Sequence, residues 1–202
     1  TGQYPYKSLM GGDGMQVQVD WRDNNTVYTG FQFGNYFRIN KTTGELKRLI
    51  VPLEVGEQKL RWNWQAPIHL SRHNQDVLYM GSNRFHRSMN RGDAFKTLSG
   101  DLTHGSKPGD VTYGTLTTID ESPLKFGLLY VGSDDGLLHV SKDGGYIWTN
   151  VSANLPGGLA SQRLWVSRVA ASAHEEGRVY ASLNGYRNDH FRAYVYVSDN
   201  YG

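Results

Sequence analysis

One four-residue phrase recurs four times along the chain: Val27-Tyr28-Thr29-Gly30, Leu78-Tyr79-Met80-Gly81, Leu129-Tyr130-Val131-Gly132 and Val179-Tyr180-Ala181-Ser182. Its tyrosines stand 51, 51 and 50 residues apart. A fixed period of this size marks a repeat architecture, in which each unit buries its apolar surface only by stacking on its neighbours. Function is then expected to belong to an array of units, of which 202 residues form a part.

The third copy predicts the structure of one unit. Residues 110–120 are rich in β-branched side chains and read as a strand. A turn punctuated by Pro123 and Gly127 leads to a second strand at 128–133. Asp134-Asp135-Gly136 reads as a tight hairpin, because an Asp-Gly pair tolerates positive φ. A third strand at 137–141, a turn at Asp143-Gly144-Gly145 and a fourth strand at 146–151 follow. The other copies repeat this order, with expected strands at 15–19, 26–30, 36–40 and 46–50, then 64–70, 77–82, 84–88 and 95–98, then 165–171, 178–183 and 193–198. No helical period competes. Four short antiparallel strands per repeat predict an all-β chain, a β-propeller segment of about four blades. The blades fall near 12–51, 61–99, 110–152 and 164–202, the last incomplete, within a seven-bladed or larger propeller. The repeat tyrosines are expected in the core, with the small residue two places later on the same face of the strand.

A second phrase joins the third and fourth strands. It is Ser141-Lys142-Asp143-Gly144-Gly145-Tyr146-Ile147-Trp148 in the third copy. In the second it has Ser88, Asn90, Gly92 and Phe95, and in the fourth it begins with Ser198, Asn200 and Gly202. The first copy, Asn40-Lys41-Thr42-Thr43-Gly44, lacks the aromatic residue. A short Asp or Asn side chain can accept turn N–H groups, and glycine supplies φ > 0. The phrase resembles the Asp-box, or BNR repeat, of the β-propeller superfamily that contains sialidases, xyloglucanases and the sortilin ectodomain. The likeness is nearest to large bacterial sortilin-like or glycosyl hydrolase BNR-repeat proteins. The stretches 71–84 and 149–156 add to it. The resemblance implies that Ser88, Asn90, Gly92, Phe95, Ser141, Asp143, Gly145, Trp148, Ser198, Asn200 and Gly202 are structural, on the face away from any ligand. It also implies that many functions share this fold.

Connectivity assigns the remaining loops. Links between blades and the hairpins joining second to third strands share the opposite face, where related propellers hold ligands. Candidate residues there are Asp13 in a glycine-rich turn, Arg61, Trp62 and Trp64, and Arg163 and Trp165. Trp64 and Trp165 each stand 15 residues before their repeat tyrosine. Tryptophan faces suit sugar rings or interblade packing, and arginine suits a carboxylate. Asp134 and Asp135 invite a glycosidase reading, since two acids flank the scissile bond in such enzymes, yet hairpin chemistry alone accounts for them. The stretch 184–192, with Tyr186, Asp189 and His190, is longer than a turn needs and is the expected specificity loop.

Other classes lose support. The formal charge of +2, from 21 basic and 19 acidic residues without a basic run, argues against a nucleic-acid partner. No apolar run approaches the roughly 20 residues of a membrane span. His69 and His73 would lie about 13 Å apart on a strand, too far to share a metal. No cofactor or metal is expected, and cysteine is absent. The chain opens on Thr1-Gly2-Gln3 and closes inside the second phrase, so both ends read as cut. Neither the sialidase Tyr/Glu pair nor a xyloglucanase acid can be placed. The expected role is recognition of a glycan or a protein or peptide ligand on the face opposite the Asp-boxes, by a secreted, periplasmic or cell-surface protein. The remaining blades of the same chain would be its partners. The alternative is a glycoside hydrolase whose acids lie partly elsewhere.

Overall fold

The computed structural model describes residues 6–202. The first sheet contains β1 (Gln18–Val19), β2 (Thr26–Phe31), β3 (Asn35–Asn40) and β4 (Leu46–Arg48). The second contains β5 (Ile68–Leu70), β6 (Leu78–Gly81), β7 (Phe85–Ser88) and β8 (Lys96–Thr97). The third contains β9 (Leu116–Glu121), β10 (Leu129–Ser133), β11 (Leu138–Ser141) and β12 (Thr149–Asn150). The fourth has three strands, β13 (Trp165–Ala171), β14 (Val179–Gly185) and β15 (His190–Ser198). Every sheet is an antiparallel meander in chain order, and the first strands of successive sheets abut. This is a segment of a β-propeller, as the 51-residue period predicts.

Three first strands are shorter than the sequence implies. The second begins at Ile68 rather than 64, because the Asn63 side chain accepts the Gln65 N–H and bends the chain, and Pro67 has no N–H to donate. The first and third begin at Gln18 and Leu116 rather than 15 and 110. The expected loop at 184–192 is largely strand. Beyond a register shift near Gly185, only a single 3-10 turn at Tyr186–Asn188 and the left-handed Asp189 separate β14 from β15.

Side chains of one inner strand hold the next. Gln18 accepts the Leu70 N–H at 3.2 Å, and Asp120 accepts that of Ala171 at 2.7 Å. Thr117 donates to the Val166 carbonyl at 2.6 Å. These bonds satisfy inner-edge groups that no ladder reaches. The glycine two places after the tyrosine serves the same seams in the second and third sheets. A Cβ on Gly81 would meet Pro67 and Leu116, and one on Gly132 would meet Val166, so glycine lets the following sheet close in. Tyr28, Tyr79 and Tyr130 are buried, whereas Tyr180 is 42% exposed on the fourth sheet.

The turns sort onto two faces. The turn after each third strand donates an N–H to the turn joining first to second: Lys41 to Asn25, Arg91 to Asp76, Gly144 to Gly127 and Tyr201 to Gly177. A repeat missed in the sequence caps the latter turns. Asp20, Ser71, Ser122 and Ser172 accept N–H groups two residues on, and their own N–H groups bond across to the following strand.

Burial also sets the charge state of three histidines. It pushes His69 and His139 down to about 4 and His86 down to about 3, with the neighbouring Arg72, His104 and Arg84 adding to the effect in turn. All three are neutral at pH 7.

Candidate ligand-binding cleft

The Ser-x-Asp/Asn-x-Gly turns are built alike. In the third sheet the Ser141 hydroxyl donates to Asp143 at 2.8 Å and accepts the Gly145 N–H at 2.9 Å. Asp143 also accepts from Tyr146 and Ile147, bonds that hold its carboxyl below the usual range. Ser88 and Asn90, and Ser198 and Asn200, repeat the serine-to-amide bond at 2.9 and 2.7 Å, and the Gly92 and Gly202 N–H groups reach their serines at 2.9 Å. In the first sheet Asn40 takes over, accepting from Thr42 and Thr43. Trp148 then packs on Phe85 of the preceding sheet, with ring centroids 5.0 Å apart, and Phe95 enters the core between the first two sheets.

On the other face the candidates separate into two corners. In the link between the first two sheets, Arg61 is committed toward the third. Its guanidinium pairs with Asp101 at 2.5 Å and bonds the Gly114 carbonyl and the Thr103 hydroxyl. Burial opposes ionisation of Asp101, but the bonds from Arg61, Thr103 and Asn83 outweigh it and hold the carboxyl below its usual range. Trp62 lies against Gly34 and over His86. Trp64 meets Phe33 edge-on at 5.2 Å. Both rings therefore take part in interblade packing, although Trp64 stays half-exposed. Asp13 is exposed and accepts a bond from Gln32.

At the seam of the last two sheets, Asp134, Arg163 and Trp165 line one cleft of about 240 Å³, together with Lys107, Tyr113 and Arg187. The Asp134-Asp135-Gly136 hairpin is a brace rather than an acid pair open to a substrate. Asp134 accepts from the Thr115 hydroxyl at 2.6 Å and from the N–H groups of Gly114 and Thr115. Burial still raises its pKa, since desolvation outweighs those bonds. Asp135 accepts from the Ser133 hydroxyl at 2.5 Å and the His104 N–H at 2.7 Å, and both carboxylates are buried. Gly136, at φ +89°, brings the hairpin onto the backbone of Arg163, where a Cβ would lie 2.8 Å from Cα. Arg163 is itself left-handed at φ 49°, a conformation unfavourable for a side-chain-bearing residue.

Arg187 stacks 4.0 Å from the centroid of Trp165 and 4.5 Å from that of Tyr186. The Trp165 face is thus shared with a guanidinium, which still offers its N–H groups at its rim. Lys107 stands 3.7 Å from the centroid of Tyr113, whose hydroxyl is shifted upward by burial and by the nearby Asp135 and Asp134. No carboxylate pairs with Lys107, Arg163 or Arg187 among the described residues. His190 faces away from this group, bonded to the Tyr194 hydroxyl at 2.7 Å, and Asp189 is exposed at the loop tip. Sequence reasoning placed Arg163 and Trp165 but missed Lys107, Tyr113 and Arg187. Their only sequence signal is polar and aromatic residues within an interblade link and a long hairpin. Among the described residues no three His, Cys, Asp or Glu side chains gather as a metal site, and no helix is long and apolar enough to cross a membrane. His73 bonds the Ser122 carbonyl instead, at 2.8 Å.

No protein-family model matches the chain, and no curated protein matches it. Solved structures do. A GH74 xyloglucanase from Xanthomonas campestris superposes with a TM-score of 0.63 at 18% identity, over 94% of this chain and 29% of that one. An ancestral GH74 enzyme gives 0.63 at 18% identity, over 95% and 23%. The GH74 enzyme of Niastella koreensis gives 0.60 at 15% identity, over 91% and 28%. The chain spans less than a third of the length of each. At these identities the likeness shows the fold, a segment of a β-propeller.

Proposed function

We propose that this chain is part of a propeller that recognises a glycan, and that the cleft between its third and fourth sheets is the binding site. The observation that carries the reading is the unequal fate of two equivalent positions. Trp62 packs on Gly34 and His86, whereas its counterpart Arg163 stands in an aromatic-walled cleft with unpaired cations. Neighbours titled as GH74 enzymes, one a xyloglucanase, support a saccharide as the ligand class. The Ser-x-Asp/Asn-x-Gly turns are Asp-boxes in this reading, the remaining blades belong to a longer chain, and the protein works outside the cell or at its surface. Binding is favoured over hydrolysis at this cleft, because Asp134 and Asp135 already spend their lone pairs on the hairpin and link. A protein or peptide ligand finds no comparable support. The test is calorimetry with a panel of neutral and acidic oligosaccharides. Binding by the native chain, weakened at least 10-fold by Trp165→Ala with an unchanged melting temperature, supports the reading. Absence of binding to every glycan in the panel overturns it.

A further inference from the structure

Resting on that reading, we infer that the cleft selects a saccharide carrying a carboxylate, of the uronic acid type, rather than a neutral one. Lys107, Arg163 and Arg187 contribute three positive charges to its wall. Asp134 is the one acidic residue among the lining side chains, and it is buried behind three hydrogen bonds. The cleft therefore presents cations without a neutralising partner at its surface, beside the aromatic rings of Trp165 and Tyr113.

A further observation points to a ligand. Arg187 stacks on Trp165 and Tyr186, which restrains the guanidinium plane while leaving its fork of donors unfilled. A restrained guanidinium loses little freedom on meeting a carboxylate, whose two oxygens match its geometry. Arg163 ends the short helix Leu159–Gln162 in a left-handed conformation, with Gly136 packed on its backbone, and its side chain is exposed at the cleft wall. Arg61 supplies a contrast: there Asp101 already occupies the guanidinium.

The experiment compares trigalacturonic acid, its neutral methyl ester and a sulfated disaccharide, titrated into the native chain and into Arg187→Ala and Arg163→Ala. The acid is expected to bind at least 10-fold more tightly than the ester. Each arginine variant is expected to lose at least 5-fold on the acid and little on the ester, with an unchanged far-ultraviolet spectrum. Raising the salt concentration should weaken the acid and leave the ester unchanged. Equal binding of acid and ester overturns the charge selection while leaving glycan recognition standing. Tighter binding of the sulfated sugar overturns the carboxylate assignment. Failure of every glycan removes both proposals together.

Discussion

The first and last seams of this segment are made by the same repeat and have different contents. Between the first two sheets, Phe95, Ile68, Met80 and Leu78 close a core and Trp62 covers His86. Between the last two, Leu128, Tyr130, Val140, Val166, Val169 and Leu183 close another, and the cationic cleft lies at one end of that seam. Residues 17 places before the repeat tyrosine make the exchange plain: Trp62 in one seam, Arg163 in the other, each against the glycine six places after the preceding tyrosine, Gly34 or Gly136. A repeat that keeps its backbone plan can thus turn a packing position into a charged one. The polar link between blades is where that change costs least, because it carries no ladder.

The largest contrast is expected at the small residues of the second strands. Gly132→Val would drive a branched side chain into Val166 and Thr118 of an already closed seam. A loss of about 3 kcal/mol is expected, in keeping with overpacking of a tight interior. Ser182→Val occupies the equivalent position on the fourth sheet, where the serine is partly exposed and bonded to Ser167 at 2.9 Å. Its effect should stay within about 0.5 kcal/mol. Urea unfolding of the two variants checks this, and equal losses would mean that Ser182 is as tightly enclosed as Gly132 in the last seam.

Tryptophan replacement should separate the seams by kind of effect. Trp62→Ala removes a partly buried ring packed on His86 and against Gly34, and is expected to cost about 2 kcal/mol, below the range for a fully buried aromatic. Trp165→Ala removes a ring shared with an exposed guanidinium and should cost under about 1 kcal/mol. Thermal melts read both. A large loss for Trp165→Ala would recast it as a core residue.

How legible was this in the sequence? The tyrosine period and the Asp-Gly hairpins carried the architecture, because both depend on local chemistry repeated in every unit. Strand starts were less legible. Nothing local in the residues around Trp64 announces that Asn63 caps a turn and reaches Thr115 of the next sheet at 2.8 Å. The candidate cleft was legible in part. Arg163 and Trp165 stand out by position, but whether an arginine is paired depends on a partner such as Asp101, 40 residues from Arg61. Arg187 lay inside the expected specificity loop, yet its stacking on Trp165 is a tertiary fact. The adjacent acids Asp134 and Asp135 show the converse, since their hairpin role was readable and their bonds to the interblade link were not.

The buried histidines distribute an acid sensitivity over the seams. His86 lies under Trp62, and His139 is buried in β11 of the third sheet. In the unfolded chain each takes up a proton near pH 6.5, whereas the folded forms resist until about 3 and about 4. The folded state thus binds fewer protons across that window. Its histidine-derived stability is complete above pH 6.5 and is lost as pH falls through the window. Asp120 and Asp134, raised by burial, act in the opposite sense nearer pH 4. The melting temperature is expected to fall between pH 7 and pH 5. Replacing either His86 or His139 should flatten that slope by a similar amount, because both folded values lie below pH 5. A flat native profile would refute the buried neutral state.

The smallest expected effect compares added volume at an enclosed and at a partly buried position. Ala66 is fully enclosed between the first two sheets, and its carbonyl accepts from the Tyr36 hydroxyl at 2.6 Å. Ala66→Leu must displace that packing and is expected to cost about 2 kcal/mol. Ala181, in β14, is only partly buried against the core of the last two sheets. Ala181→Leu is expected to change stability by no more than about 0.5 kcal/mol, of either sign, because part of its side chain meets solvent. Differential scanning calorimetry of the pair resolves the difference. A loss for Ala181→Leu as large as that for Ala66→Leu would mean that the fourth sheet is packed as tightly there as the first seam.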